Sequence, residues 1–310
     1  MGLGYSLSTL PEIGRWRPPA VGTAYVVRQF VTMGLQELLS TPFVIPSIPR
    51  VVALALTELG RPRPDLRRLA QLLGTDPALS CRLLQIANAA GLAGKLHGVS
   101  EALAVLRLDE VRTLVMHAAS SATFKAVPGI QLAQFWSYSL DAARVSRAIA
   151  GLLHLDPQAA YCVGMIHAVG ELLLRVALPN IVALDAKVGV FEPKRARAEL
   201  QAVGFCFTQV TAGLARQWKL PHNMFDALEF QHKPFDNDPY EPLAGVLHLA
   251  LWRARARQLQ WSQRALAVSF PALVAEVLGL DIDMVLQQDP IDWTPVRSGP
   301  APQRSRTAVS

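Results

Sequence analysis

Proline and glycine cut this chain into apolar segments of helical length, and no segment shows a clear strand pattern. The stretch Ile45-Pro46-Ser47-Ile48-Pro49-Arg50 shows the rule at work. Its prolines fix an extended entry, and the second one suits the start of a helix over 50–59, which Gly60 closes. Asp65 is a helix cap, and the helix it opens runs to Leu73 and stops at Gly74. Thr75-Asp76-Pro77 opens the next one. Leu79, Leu83, Ile86 and Ala90 fall at helical spacing on one face, which ends at Gly91. Ser100 with Glu101 begins a helix over 102–108, and Asp109 begins another that runs to Phe124.

Val127-Pro128-Gly129 is the first strong internal boundary. Beyond it the pattern predicts helices over 131–153, from Asp156-Pro157 through His167, and over 181–188, 193–203, 207–219, 222–231 and 243–258. A last pair is expected at 270–278 and 282–288. The expectation is an all-α protein, an N-terminal helical bundle packed on a C-terminal helical domain. The divisions are an arm and leading helix at 1–40, the bundle at 41–127, the second domain at 128–290 and a polar tail at 291–310. Residues 1–20 are rich in Gly, Pro and Ser and read as a loosely docked arm; the leading helix spans 23–39. No fixed-period repeat is present.

At 310 residues with 51% hydrophobic content, the chain can fill sizeable cores. Cys81, Cys162 and Cys206 lie far apart with no CxxC spacing, which argues against a disulfide framework and fits a reducing cytoplasm. Neither a leader nor a continuous apolar run long enough to span a bilayer is read, so no membrane insertion is expected. The net charge of +6 keeps nucleic acid open as a partner, but the arginines are scattered and no helix-turn-helix reading head is seen. Arg253, Arg255 and Arg257 read as a solvated helix end. The Gly-Lys of GLAGKLHG (91–98) lacks phosphate-loop spacing. Trp136 and Trp218 sit among leucine and alanine and are assigned to the core.

The segment 161–174, YCVGMIHAVGELLL, carries one histidine and one acid. Adjacent imidazole and carboxylate ligands at such a place can grip a divalent metal and activate water. Ala168, following His167, has no lone pair to offer. Gly170 is expected to interrupt the helix; were the helix continuous, Glu171 would share the face of His167.

IPSIPRVV (45–52) and DPALSCRLLQIANAA (76–90) resemble the opening of the HDOD family, the HD-related output domain of bacterial signalling proteins. The resemblance continues through 99–116, FWSYSLDAARVSRAIA (135–150), MIHAVGELLL (165–174), QWKLP (217–221) and HKP (232–234), and covers roughly residues 40–288. Ala89 and Arg107 depart from the family pattern without touching a catalytic group. The resemblance implies that the C-terminal domain is a degenerate HD fold and that the role is regulatory. It also implies where the metal ligands of an HD hydrolase would stand. Those positions are Tyr138, His167, Ala168, Phe207, Gln231, His232 and Leu251, of which only His167 and His232 keep a ligating side chain. Two imidazoles fall short of a catalytic zinc set, so no metal, cofactor or catalytic residue is expected. His167, Glu171 and His232, with Glu229 or His248, are the residual ligand candidates for a nonstandard phosphohydrolase site. The leading expectation is a non-catalytic regulator with another signalling protein as its partner, held in an arginine-rimmed groove where the two helical units meet. A nucleotide or nucleic-acid binding regulator is the other alternative. No receiver or cyclase-like segment is read in the chain.

Overall fold

The computed structural model describes residues 33–89, 95–121 and 126–287. The expected arm at 1–20, the leading helix before residue 33, part of the glycine-rich turn, the helix end at Phe124 and the polar tail at 291–310 lie outside the described residues. No strand occurs among the described residues.

After α1 (Leu35–Leu39), Pro49 sits in the first turn of α2 (Pro49–Leu59), as its fixed φ and missing N–H favour. Asp65 caps α3 (Leu66–Leu73) by accepting from the backbone N–H groups of Arg67 and Arg68. Asp76, wholly buried, accepts from Leu79 N at 2.9 Å at the start of α4 (Pro77–Ala89) and also from Ile48 N. It thereby ties the proline-bounded entry segment to the helix 28 residues later. Burial pushes its carboxyl up to about 6 against those backbone donors. α5 (Val99–Val105) and α6 (Leu108–Ser121) pack on α4, and α2 packs on α3 and α6. Arg112 donates to Leu59 O at 2.6 Å and closes the end of α2.

The long α7 (Leu132–Leu152) packs along α8 (Pro157–Ile166) and α13 (Pro242–Gln258). Glycine makes the α7–α8 approach possible. A Cβ on Gly164 would fall 2.6 Å from Ala143 Cα. Gly170 does not break the chain as its residue type suggested. The turn falls at His167-Ala168, and Gly170 lies inside α9 (Val169–Ala177), where a Cβ would be 2.3 Å from Phe207 O at the start of α11 (Phe207–Gln217). Its role is close helix packing.

The expected helix at 181–188 is a 3-10 segment, Pro179–Ala186. α10 (Arg195–Val203) and α12 (His222–Glu229) flank α11, and a short 3-10 turn at Pro234–Asp236 precedes α13. α14 (Gln263–Ser269) was not anticipated; α15 (Ala272–Val277) and α16 (Ile282–Leu286) follow it. α1 packs on α9 and α11, with Gln217 Nε2 donating to Leu39 O at 3.1 Å.

One stretch of the described residues, Pro157–Ala177, is long and apolar enough to cross a membrane by length and composition, and 89% of its window is buried inside the protein. α8 and α9 are thus core helices, and one hydrophobic cluster runs without interruption from Leu38 to Val285.

Candidate functional site

The turn between α8 and α9 buries His167 in the packing among α7, α11 and α13. Its Nδ1 lies 2.8 Å from Gly164 O. A carbonyl accepts only, so Nδ1 carries the proton and Nε2 the lone pair. Tyr138 from α7 meets the imidazole edge-on at 5.4 Å between centroids and donates its hydroxyl to Leu251 O at 3.2 Å. Gln231 holds the turn from the other side, its Nε2 donating to His167 O at 3.1 Å and to Leu228 O at 2.7 Å. Thr211 Oγ1 donates to Phe207 O at 2.8 Å and accepts from Gly170 N at 2.9 Å.

Phe207 stands edge-on to His232 at 5.7 Å, and the Nε2 of His232 is buried with no hydrogen-bond partner. His248 Nδ1 contacts Gln231 O at 2.8 Å. Burial lowers the pKa of all three histidines, to about 4 for His167 and about 3 for His232; for His232 the neighbouring His248, His167 and Arg255 add to the effect. The imidazoles are therefore neutral at physiological pH. Ala168 and Leu251, both apolar, are buried. His232 and His248 also line a surface cavity of about 390 Å³ with Lys233, Phe235 and Leu273.

The other ligand candidates point elsewhere. Glu171 does not join His167; its Oε1 accepts from Arg175 Nε at 2.6 Å and from Arg195 Nη2 at 2.9 Å. Asp185 bridges the same two guanidinium groups, and Glu199 accepts from Arg195 Nε at 2.7 Å and from Phe207 N at 2.7 Å. Burial, reinforced by the nearby Glu171, pushes the Glu199 carboxyl up to about 9. Two arginines and three acidic side chains thus share one cluster, where burial works against the charged form of Glu199. Glu229 pairs with Arg216 on the surface. Among the described residues no group of three His, Cys, Asp or Glu side chains is placed to hold a metal ion. The residues at the turn thus do not fit the metal centre of an HD hydrolase.

The arginine run on α13 is not a solvated helix end. Arg253, Arg255 and Arg257 are all half-buried; Arg253 donates to Leu286 O at 3.3 Å, and Arg255 lies over the Trp261 ring at 5.0 Å. α14–α16 fold back over this face, which the sequence pattern did not reveal.

A model of the HDOD domain matches residues 45–234. The chain belongs to the HDOD family. Its fold is similar to that of the MmoQ response regulator of Methylococcus capsulatus, at 25% identity over 78% of this chain and 96% of that one, with a TM-score of 0.63. A virulence factor of Campylobacter jejuni shares the fold at 17% identity, 83% and 97% coverage and a TM-score of 0.61. A candidate phosphohydrolase from Shewanella amazonensis aligns at 25% identity, 82% and 91% coverage and a TM-score of 0.50. No curated protein matches the chain.

The sequence reading did not find the Arg175–Asp185–Arg195–Glu199 cluster as a unit. The i,i+4 spacing of Glu171 with Arg175 and of Arg195 with Glu199 was the available signal.

Proposed function

We propose that this HDOD protein is a non-catalytic signal-transduction regulator that acts by associating with another signalling or regulatory protein. The observation that carries the reading is the replacement chemistry at the α8–α9 turn. Ala168, Phe207 and Leu251 put carbon where an HD hydrolase needs ligands. Tyr138 donates its hydroxyl and Gln231 its Nε2 to backbone carbonyls, and Oε1 of Glu171 is held by two arginines. Neutral imidazoles with no carboxylate ligand beside them fall short of the ligand set by which an HD hydrolase would hold a metal ion for phosphoester hydrolysis. Membership of a family built around signalling output supports the regulatory role, and so does the likeness to a response regulator. The division into 41–127 and 128–290 belongs to the same reading, and three buried free cysteines fit action in the cytoplasm.

Elemental mass spectrometry on protein purified without chelator, beside hydrolysis of a generic phosphodiester with added zinc, manganese or iron, tests it. Substoichiometric metal and no turnover are expected for the wild type. Stoichiometric metal that disappears in the His167→Ala, His232→Ala double variant, together with metal-dependent turnover, would overturn the reading.

A further inference from the structure

A second cavity, of about 720 Å³, lies between α3–α5 on one side and α7–α8 on the other. Arg67 on α3 lines one wall; Arg144 and Arg147 on α7, with Gln158 and Tyr161 on α8, line the other, and Ser80 on α4 also reaches it. Among the described residues no carboxylate lines it. None of the three arginines forms an ion pair with a described residue. Three uncompensated guanidinium groups around one concavity repel one another and raise the local concentration of anions.

The walls are held in register by Tyr161. Its hydroxyl donates to Gly74 O at 3.1 Å across the cavity, and Arg147 lies over its ring at 5.0 Å. Burial raises the Tyr161 pKa, and Arg147 and Arg144 both act against that rise, so both cations lie close to the one hydroxyl. The planar fork of arginine suits phosphate, which accepts two parallel hydrogen bonds from it. Size selects among anions. A volume of about 720 Å³ is that of a small-molecule pocket, whereas a helix 10–12 Å across would fill it in less than about two turns.

We propose that this groove binds a phosphorylated small molecule of nucleotide size carrying at least two negative charges, gripped by Arg67 from one side and by Arg144 and Arg147 from the other. Such a ligand bridges helices on both sides of the Val127–Gly129 link, and so gives the protein a chemical input separate from its partner surface. The inference does not rest on the loss of catalysis, because it uses none of the residues at the HD turn.

Isothermal titration with inorganic pyrophosphate, ATP and a decaglutamate peptide, at constant ionic strength, tests it and separates the sources of the anion. Pyrophosphate binding as well as ATP assigns recognition to the phosphates; ATP binding alone assigns it to the nucleotide; either supports the proposal. Arg67→Glu and the Arg144→Ala, Arg147→Ala double variant should each weaken binding by about ten- to a hundredfold, the worth of a lost charge-assisted contact. Arg107→Glu, exposed and outside the groove, should leave affinity unchanged. Arg67 is exposed on α3, so its variant is expected to fold and serves if the double variant does not. The proposal fails if neither phosphate compound binds, if binding survives both groove variants, or if only decaglutamate binds.

Discussion

His167 sets a pH dependence that can be read without any assay of function. Its folded pKa is about 4 against an ordinary 6.5, because burial disfavours the imidazolium. As pH falls below 6.5 the unfolded chain takes up a proton that the folded chain refuses. The contribution is therefore fully present above pH 6.5 and is lost as pH falls toward 4. Each pH unit in that window is worth about 1.4 kcal/mol. The stability gap between wild type and a His167→Gln variant, from urea midpoints, should shift by about 2–3 kcal/mol in favour of the variant between pH 7.5 and pH 4.5. A gap that stays constant with pH would mean the imidazole is accessible to protons. Residue types alone made Ala168, Phe207 and Leu251 legible as non-ligands. Glu171 was not legible, since Arg195 lies 24 residues away and only the fold brings its guanidinium within 2.9 Å.

At the scale of elements, caps and proline starts were readable because they act within four residues. Asp65, Asp76 and Asp156 each accept from backbone N–H groups of the turn they open. Helix α14 was not readable because none of its residues is buried, so no apolar stripe marks its period. Gly170 was misread for a related reason: a glycine that stops a helix and one that lets two helices touch look alike until the neighbour is known. The sign of one substitution separates these roles. On an open helix face Gly170→Ala would stabilise by about 1 kcal/mol through helix propensity. Against α11, the added methyl meets Phe207 O and Thr211, and overpacking of this kind costs about 1–3 kcal/mol. Chemical denaturation should show Gly170→Ala to be the less stable protein; a gain in midpoint would mean that α9 and α11 stand further apart.

For the whole molecule, the question is whether the helices before and after the Val127–Gly129 link unfold together. The hydrophobic cluster is continuous across them, and α4 packs on α8. Tyr161 adds a hydrogen bond from α8 to the end of α3. Against this, the walls of the 720 Å³ groove are two surfaces that do not pack on each other, which loosens the junction. Leu83, wholly buried on α4, offers the test. Leu83→Ala should cost about 2–5 kcal/mol through lost burial and a residual cavity. If the cluster makes one cooperative unit, amide exchange followed by mass spectrometry will lose protection by the same amount in α7 and α8 as in α4. Loss confined to residues 49–121 would instead show two units that open independently. A ligand bridging Arg67 to Arg144 and Arg147 would then act on the equilibrium between them, and pyrophosphate would restore protection on both sides of the groove at once.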